Sequence, residues 1–385
     1  MILHKSVESL LPECIRIRRE LHQFPETCFE EFKTHDYIYS FLSDLHPDKI
    51  ENLDPTGVRA VFYASDPEDT VAFRSDMDGL HIQEKTNHGF ASQREGYMHA
   101  CGHDGHMTTM LLLASLVSAH RKELKNNVVF IFQPAEEGRG GARNMIQAGA
   151  LKNPDVNRIY AFHVWPTVPY GKIGVRPGAQ MAQVLEFDIH IHGKSAHGAS
   201  PQFGRDAIVA AAELILLLQA VITRCRDPHQ DAVLSIGQIE GGVARNIIAD
   251  HVMMRTTMRT RNEALFDHLV EEIENAMKGI AMASGCEIWM EKQMQYPCLN
   301  NSESLIKDMI GKMDPGDCIE VEPVMQAEDF SFYQKEVPGL LMFLGINDGK
   351  RNFGQVLHSS NFDFDESALL YGVEACRRIL GIAAD

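Results

Sequence analysis

Between His99 and His106 the chain reads His-Ala-Cys-Gly-His-Asp-Gly-His. A thiolate and an imidazole two residues apart, with Gly102 between them, can converge on one metal ion. Gln133-Pro134-Ala135-Glu136-Glu137-Gly138 follows the apolar run Val128–Phe132. Carboxylates at the carboxyl end of a central strand stand where open α/β sheets place their sites. One carboxylate of such a pair can bind metal while its neighbour serves as general base. An acidic pair in this position also reads as a solvated turn. His163 ends the apolar run Ile159–Phe162, and His358 follows Leu340–Leu344. Each is a ligand candidate or a hydrogen-bonded structural histidine.

The elements that must position these residues alternate. Val7, Leu10, Leu11, Cys14, Ile17 and Leu21 repeat at helical spacing, then Val58–Ala64, Val71–Phe73, Val128–Phe132 and Ile159–Phe162 read as buried strands. A helix is expected from Met107 to about His120, immediately after the His99–His106 block, and another over Ala142–Ala148. Such alternation predicts an α/β domain with a mostly parallel sheet. The middle third differs. Leu185, Phe187, Ile189 and Ile191 alternate with Glu186, Asp188, His190 and His192, the period of a strand with one wet face. A helix (about Asp206–Thr223), two strands (Ala232–Ile239 and Ala249–Thr260), a helix through Leu265 and Ile280, and a strand (Glu287–Lys292) follow. The order βαββαβ is that of a ferredoxin-like α+β unit. Residues 181–297 are therefore read as a domain inserted into a metal-binding domain made of 1–180 and 298–385.

The chain of 385 residues carries a net charge of −17, with 44% hydrophobic and 23% charged residues. An acidic body repels phosphate backbones and anionic surfaces, so no nucleic acid and no membrane partner is expected. The apolar run Met107–Ala119 is too short to span a bilayer. The N-terminus lacks a basic segment followed by an apolar one. The eight cysteines are dispersed with no Cys-x-x-Cys pair, so a reducing, cytoplasmic location is expected. All but Cys101 read as small buried hydrophobes.

Several blocks together resemble the M20 metallopeptidase clan in its amidohydrolase branch. They are Arg18-Arg19-Glu20-Leu21-His22 with Pro25-Glu26, Arg74 to Leu80, Met98 to His106, Pro134 to Gly138, Ser195-Ala196-His197-Gly198, Arg245 to Ile248, Glu328-Asp329-Phe330 and Leu357-His358-Ser359. That branch includes N-acyl-amino-acid deacylases, hippurate hydrolases, N-acetyldiaminopimelate deacetylases and auxin-conjugate hydrolases. The resemblance implies two divalent metal ions (Zn, Mn, Co or Ni) held by Cys101, His103, Glu137, His163 and His358, with Cys101 as a bridging thiolate. It implies Glu136 as general base and then acid, His197 as a carbonyl-polarising residue, and Asn246 and Arg259 as substrate contacts. Asp76 and Asp78 either orient metal ligands or cap the following segment. His81 and Ala249 stand where relatives usually carry proline. This bears on the subfamily more than on the reaction.

The expected activity is metal-dependent hydrolysis of N-acyl amino acids, small-molecule substrates with acetyl- or benzoyl-type acyl groups, in a homodimer formed through the inserted domain. The competing readings are a dipeptidase or broad aminoacylase of the same clan, a thiol hydrolase using Cys101, and a non-enzymatic metal-binding or scaffold protein, which would not need the adjacent carboxylate of Glu136.

Overall fold

The computed structural model describes residues 1–385 apart from 54, 350–355 and 384–385. The chain divides into two compact units: Met1–Gly178 with Asn300–Glu322 and Asp329–Asp385, and Ala179–Leu299 with Pro323–Glu328. The last segment departs from the sequence division, which gave 323–328 to the metal-binding domain. Backbone pairing explains it: Val324 N–H donates to Gln180 O, and Ala182 N–H to Gln326 O, both at 2.9 Å.

The first unit is built on an eight-stranded sheet. Its order is Lys49–Leu53, Gly57–Phe62, Asn126–Gln133, Asp69–Asp76, Arg158–Pro169, Gly339–Asn347, Ile173–Val175 and Cys318–Glu320. The central pairings, from Asn126–Gln133 through Gly339–Asn347, are parallel, and antiparallel strands close one edge. The central strands are buried along their length, which is why they read as unbroken apolar runs. Phe73 stacks between Phe130 and Tyr160 at 6.1 and 5.6 Å between ring centres, tying three neighbouring strands into one core.

Two helices depart from the sequence reading. The first breaks after Glu8 and restarts over Leu11–His22, with Pro12 in its opening turn, where a missing N–H costs nothing. The second begins at His103, four residues before the expected Met107, and runs to Ala119. Gly102 caps it at φ +88°, and a Cβ there would stand 2.4 Å from Val164 Cγ2, so only glycine fits. His103, Asp104 and His106 are thus first-turn residues of a buried helix and not part of a preceding loop.

The second unit has a four-stranded antiparallel sheet in the order Ala232–Gly241, His251–Thr260, Gln183–His192 and Glu287–Tyr296. In chain order this is 2-3-1-4, the ferredoxin-like arrangement. Helices Ala207–Arg224 and Glu263–Ser284 pack on one face against Leu185, Phe187, Ile189 and Ile191. Asp206 caps the first helix through its side chain, and Gly285 ends the second in the left-handed region. Ala207–Arg224 is a longer apolar run than Met107–Ala119, and it has the length and composition to cross a membrane. One of its faces, through Ala210, Leu214 and Leu218, lies in the core of the unit.

Candidate metal centre

Strand Asp69–Asp76 leads through helix His103–Ala119 to Asn126–Gln133 on one side, while Arg158–Pro169 lies on its other side. The direction of winding reverses there, the place where open sheets bind ligands. Cys101, His103 and His163 meet at this point, with their donor atoms all within 4.8 Å of one another. Cys101, Glu137 and His358 form a second such group, and His103, Glu136 and Glu137 a third. Cys101 Sγ is 3.3 Å from His163 Nε2, and His358 Nε2 is 3.1 Å from Glu137 Oε1. All five ligand candidates and Glu136 therefore converge.

The local structure aims them. His163 Nδ1 donates to Val164 O at 2.8 Å, and His103 Nδ1 donates to Asp78 O at 2.9 Å. Each bond fixes the ring orientation and aims Nε2 at the centre, where an ion can take the place of any proton that nitrogen carries. Glu136 and Glu137 sit on a tight turn with Ala135 at φ 57° and Gly138 at φ 109°. A non-glycine residue in the left-handed region costs on the order of 1–3 kcal/mol and persists only where its surroundings hold it. Here the Asp78 carboxylate accepts the N–H groups of Glu136 and Glu137 at 3.1 and 3.0 Å, and Glu31 accepts that of Ala135 at 3.0 Å. Gly141 completes the turn, since a Cβ there would fall 1.8 Å from Pro134 O.

The other histidines of the block do different work. His106 donates from Nδ1 to Asp76 Oδ1 at 2.7 Å and accepts the Val164 N–H on Nε2 at 2.9 Å. Both nitrogens are thereby occupied, which takes His106 out of the ligand set. His99 is fully buried, with neither ring nitrogen hydrogen-bonded among the described residues, and burial lowers its pKa to about 4.

The residues fit divalent ions. His103 Nε2 is buried without a hydrogen-bond partner among the described residues, a state normally avoided unless something else satisfies the atom. Burial, Glu137 and Glu136 hold the Cys101 thiol well above its usual pKa. A bridging thiolate at Cys101, as the resemblance implies, therefore requires a bound cation to reverse this shift. Burial would lower the pKa of His103, but Asp76, Asp78 and Glu137 outweigh it and raise it to about 10. Burial and the neighbouring His106 push His163 well below its usual value, which keeps it neutral.

Asp76 and Asp78 are expected from the sequence either to orient the ligands or to cap the following segment; to the other supports around this centre the sequence reading assigns no role. Arg74 donates to Asp76 and Asp329 at 2.8 Å each and to Gln133 at 2.8 Å, all within the core. Asp329 also accepts from the N–H of Ala142 and from Gln133, and its own N–H donates to Glu136 Oε1 at 3.4 Å. Behind the helix start, Arg18 and His22 both reach Asp104 Oδ2, at 3.0 and 2.8 Å. Both sit on the apolar side of an amphipathic helix at i, i+4 spacing, inside the Arg18–His22 block. Cys28 is not a mere core hydrophobe: its thiol donates to Glu137 O at 3.2 Å.

Residues 72–381 match the family described as Peptidase family M20/M25/M40. The chain belongs to that family. Among its relatives, the N-acetyldiaminopimelate deacetylase of Priestia megaterium is 37% identical over 338 residues, 87% of this chain and 90% of the relative. That of Lactobacillus acidophilus is 36% identical over 379 residues, 96% and 97% of the two chains. The solved structure of the Bacillus subtilis YXEP protein, a dinuclear metal-binding peptidase of the M20 family, superposes with a TM-score of 0.83 at 32% identity, covering 98% of this chain and 99% of that one. This M20 protein is accordingly a metal-dependent hydrolase acting on amides, in the amidohydrolase branch.

The remaining expected residues lie in the second unit of this M20 hydrolase. His197 pairs with Ile247 in a short antiparallel ribbon, and Gly198 N–H donates to Asn246 O at 2.8 Å, so His197 and Asn246 belong to one substructure. Arg259 is on strand His251–Thr260, and its guanidinium donates to Met325 O at 3.1 Å.

Proposed function

We propose that this enzyme hydrolyses the amide bond of N-acyl amino acids, releasing a carboxylate and a free amino acid, and that N-acetyldiaminopimelate is its leading substrate. The observation that carries the reading is Glu136, buried beside His103 and Glu137 with donor atoms within 4.8 Å. Five ligand candidates and one additional carboxylate are what amide hydrolysis needs: ligands for two ions and a separate base. The substrate class rests on the two deacetylases similar to this chain over most of its length.

Cys101, His103, Glu137, His163 and His358 would hold the divalent ions, which when bound would supply Lewis-acid polarisation and an acidified water. The thiolate, imidazole and carboxylate set suits Zn, Mn, Co or Ni. Glu136 takes the proton of the attacking water on its carboxylate and passes it to the amide nitrogen, so that the amine leaves neutral. Asp78 keeps the backbone of Glu136 and Glu137 fixed during that transfer, and Asp329 N–H orients Glu136 Oε1. We assign His197 to the carbonyl oxygen and Asn246 and Arg259 to the rest of the substrate.

We further propose a homodimer formed through the second unit and a cytoplasmic location. Ile208, Val209 and Leu216 of helix Ala207–Arg224 are exposed, as are Val233 and Ile239 of the edge strand Ala232–Gly241. An apolar helix face beside an open strand edge favours pairing with a second copy.

The test is a panel of N-acetyldiaminopimelate, N-acetyl and N-benzoyl amino acids and dipeptides, with and without chelator. N-acetyldiaminopimelate should give the highest kcat/KM, and chelation should abolish turnover. Turnover of dipeptides alone would replace the substrate assignment. Activity that survives chelation but not thiol alkylation would replace the mechanism with a Cys101 nucleophile.

A further inference from the structure

His358 differs from the other ligand candidates in how it is held. Its side chain is half exposed, whereas Cys101, His103 and His163 are buried. Its backbone lies in the left-handed region at φ 64°, which a residue other than glycine keeps only where its surroundings hold it. Those surroundings come from distant parts of the chain. His358 N–H donates to Ala100 O at 2.9 Å, and two residues on, Ser360 O accepts Lys85 N–H at 2.8 Å. Asp363 ends the segment between two donors. Its Oδ1 accepts from Arg18 Nη2 at 2.9 Å, and its Oδ2 lies 2.9 Å from His88 Nε2.

We propose that Asp363, gripped by Arg18 and His88, is a positioning residue for His358, and that this grip sets the affinity of one of the two ions and not of the other. The proposal rests on the reading of His358 as a metal ligand.

Both arms of the grip are themselves fixed. Arg18 is buried, and its Nε donates to Asp104 Oδ2 at 3.0 Å. Asp104 follows His103 in the first turn of its helix, so one planar guanidinium ties the segment of His103 to the segment of His358. The same guanidinium lies over the ring of Phe364 at 4.3 Å, just past Asp363. The other arm is a loop closed on itself: Glu84 accepts Ser92 N–H at 2.6 Å. Within that loop His88 stacks on Phe90 at 4.8 Å between ring centres, and the opening Lys85 N–H is the one that holds Ser360.

The effect falls on one ion because the donors divide. Cys101, His103 and His163 form one fully buried group, while His358 joins Cys101 and the partly exposed Glu137 in another. Residues that orient a ligand typically change metal affinity by about 10–100-fold. Without the grip, the segment from His358 to Asp363 must lose its freedom when the ion binds, and that ordering weakens binding. The first group has no ligand on this segment.

The experiment loads the enzyme with Zn(II), dialyses it against a graded series of a chelator and counts the ions retained per chain by elemental analysis. The wild type should release its ions in two steps, and His358→Ala should lack the more weakly held one. In His88→Ala the first step should move to about tenfold lower chelator concentration while the second stays in place. His88→Gln, whose side-chain NH₂ can donate to Asp363 Oδ2 in place of the imidazole, should recover most of that shift, which a general loosening of the loop would not allow. Asp363→Asn should move the same step, but it also leaves buried Arg18 without one of its carboxylates, so the two His88 variants decide. The proposal is overturned if His358→Ala loses one ion while His88→Ala releases both as the wild type does. It is also overturned if both steps move together in His88→Ala, or if His88→Gln does no better than His88→Ala. Retention of both ions by His358→Ala would overturn the ligand reading itself, and the proposal with it.

Discussion

Sγ of Cys101 lies 3.3 Å from Nε2 of His163, although the two residues are 62 positions apart in sequence. One stands just before the first turn of a buried helix and the other within a central strand. Their approach sets the chemistry of the centre, because His163 is held neutral while the Cys101 thiol is held protonated. Metal loading must therefore displace protons.

At pH 7 Cys101 carries its proton, and His103, raised to about 10, carries one more than a ligand can keep. Loading should release about two protons per chain from these residues, and about one in Cys101→Ala. Calorimetry in two buffers of different ionisation enthalpy measures this number. Equal release from wild type and variant would remove Cys101 from the ligand set.

Glu136→Gln keeps the shape of the side chain and removes the proton acceptor. We expect kcat to fall by about 10²–10⁴ with metal content unchanged. Elemental analysis alongside steady-state kinetics separates this from ligand loss; normal turnover would move the base elsewhere.

Asp78 acts through the turn. In Asp78→Asn one of the two N–H groups now bound to the carboxylate faces an amide NH₂ instead of an acceptor. Metal affinity should drop by about 10–100-fold, and excess metal should restore part of kcat. A variant with unaltered affinity would show that the turn holds without this carboxylate.

His22 gives a pH signature of stability. Burial would lower its pKa, but Asp104 and Glu84 outweigh it and raise it to about 9. The folded-state value lies above the unfolded one, so the stabilisation is fully present below about pH 6.5 and is lost as pH rises through about 9. The melting temperature of the wild type should therefore fall across this window more steeply than that of His22→Asn. Parallel curves would show that His22 does not gain its proton on folding.

The convergence of the ligand candidates Cys101 and His103 was legible because spacing alone brings them together. The start of their helix was not, since His103, Asp104 and His106 break the apolar period although all three are buried. Nor could residue type distinguish His103 from His106; what separates them is that Asp76 and the Val164 N–H occupy both nitrogens of His106. The alternation over Leu185–His192 gave the sheet face correctly, but the pairing of His192 with His251 needs the cross-strand register. Arg18 and Asp104 are 86 residues apart, and no local pattern predicts a buried charge pair at that separation. The edge strand Lys49–Leu53, with only Leu53 buried, lacks the apolar signal that marked its neighbours.

Strand Gly339–Asn347 lies between Arg158–Pro169 and Ile173–Val175, both made far earlier in the chain. During synthesis the sheet therefore waits with a gap in its middle while the whole second unit emerges and folds. Until the gap is filled, two strand edges stand open to improper pairing. His358 lies beyond this strand, so the full set of ligand candidates comes together only once nearly all of the chain has been made. A nascent chain that ends near residue 330 still presents both of those edges.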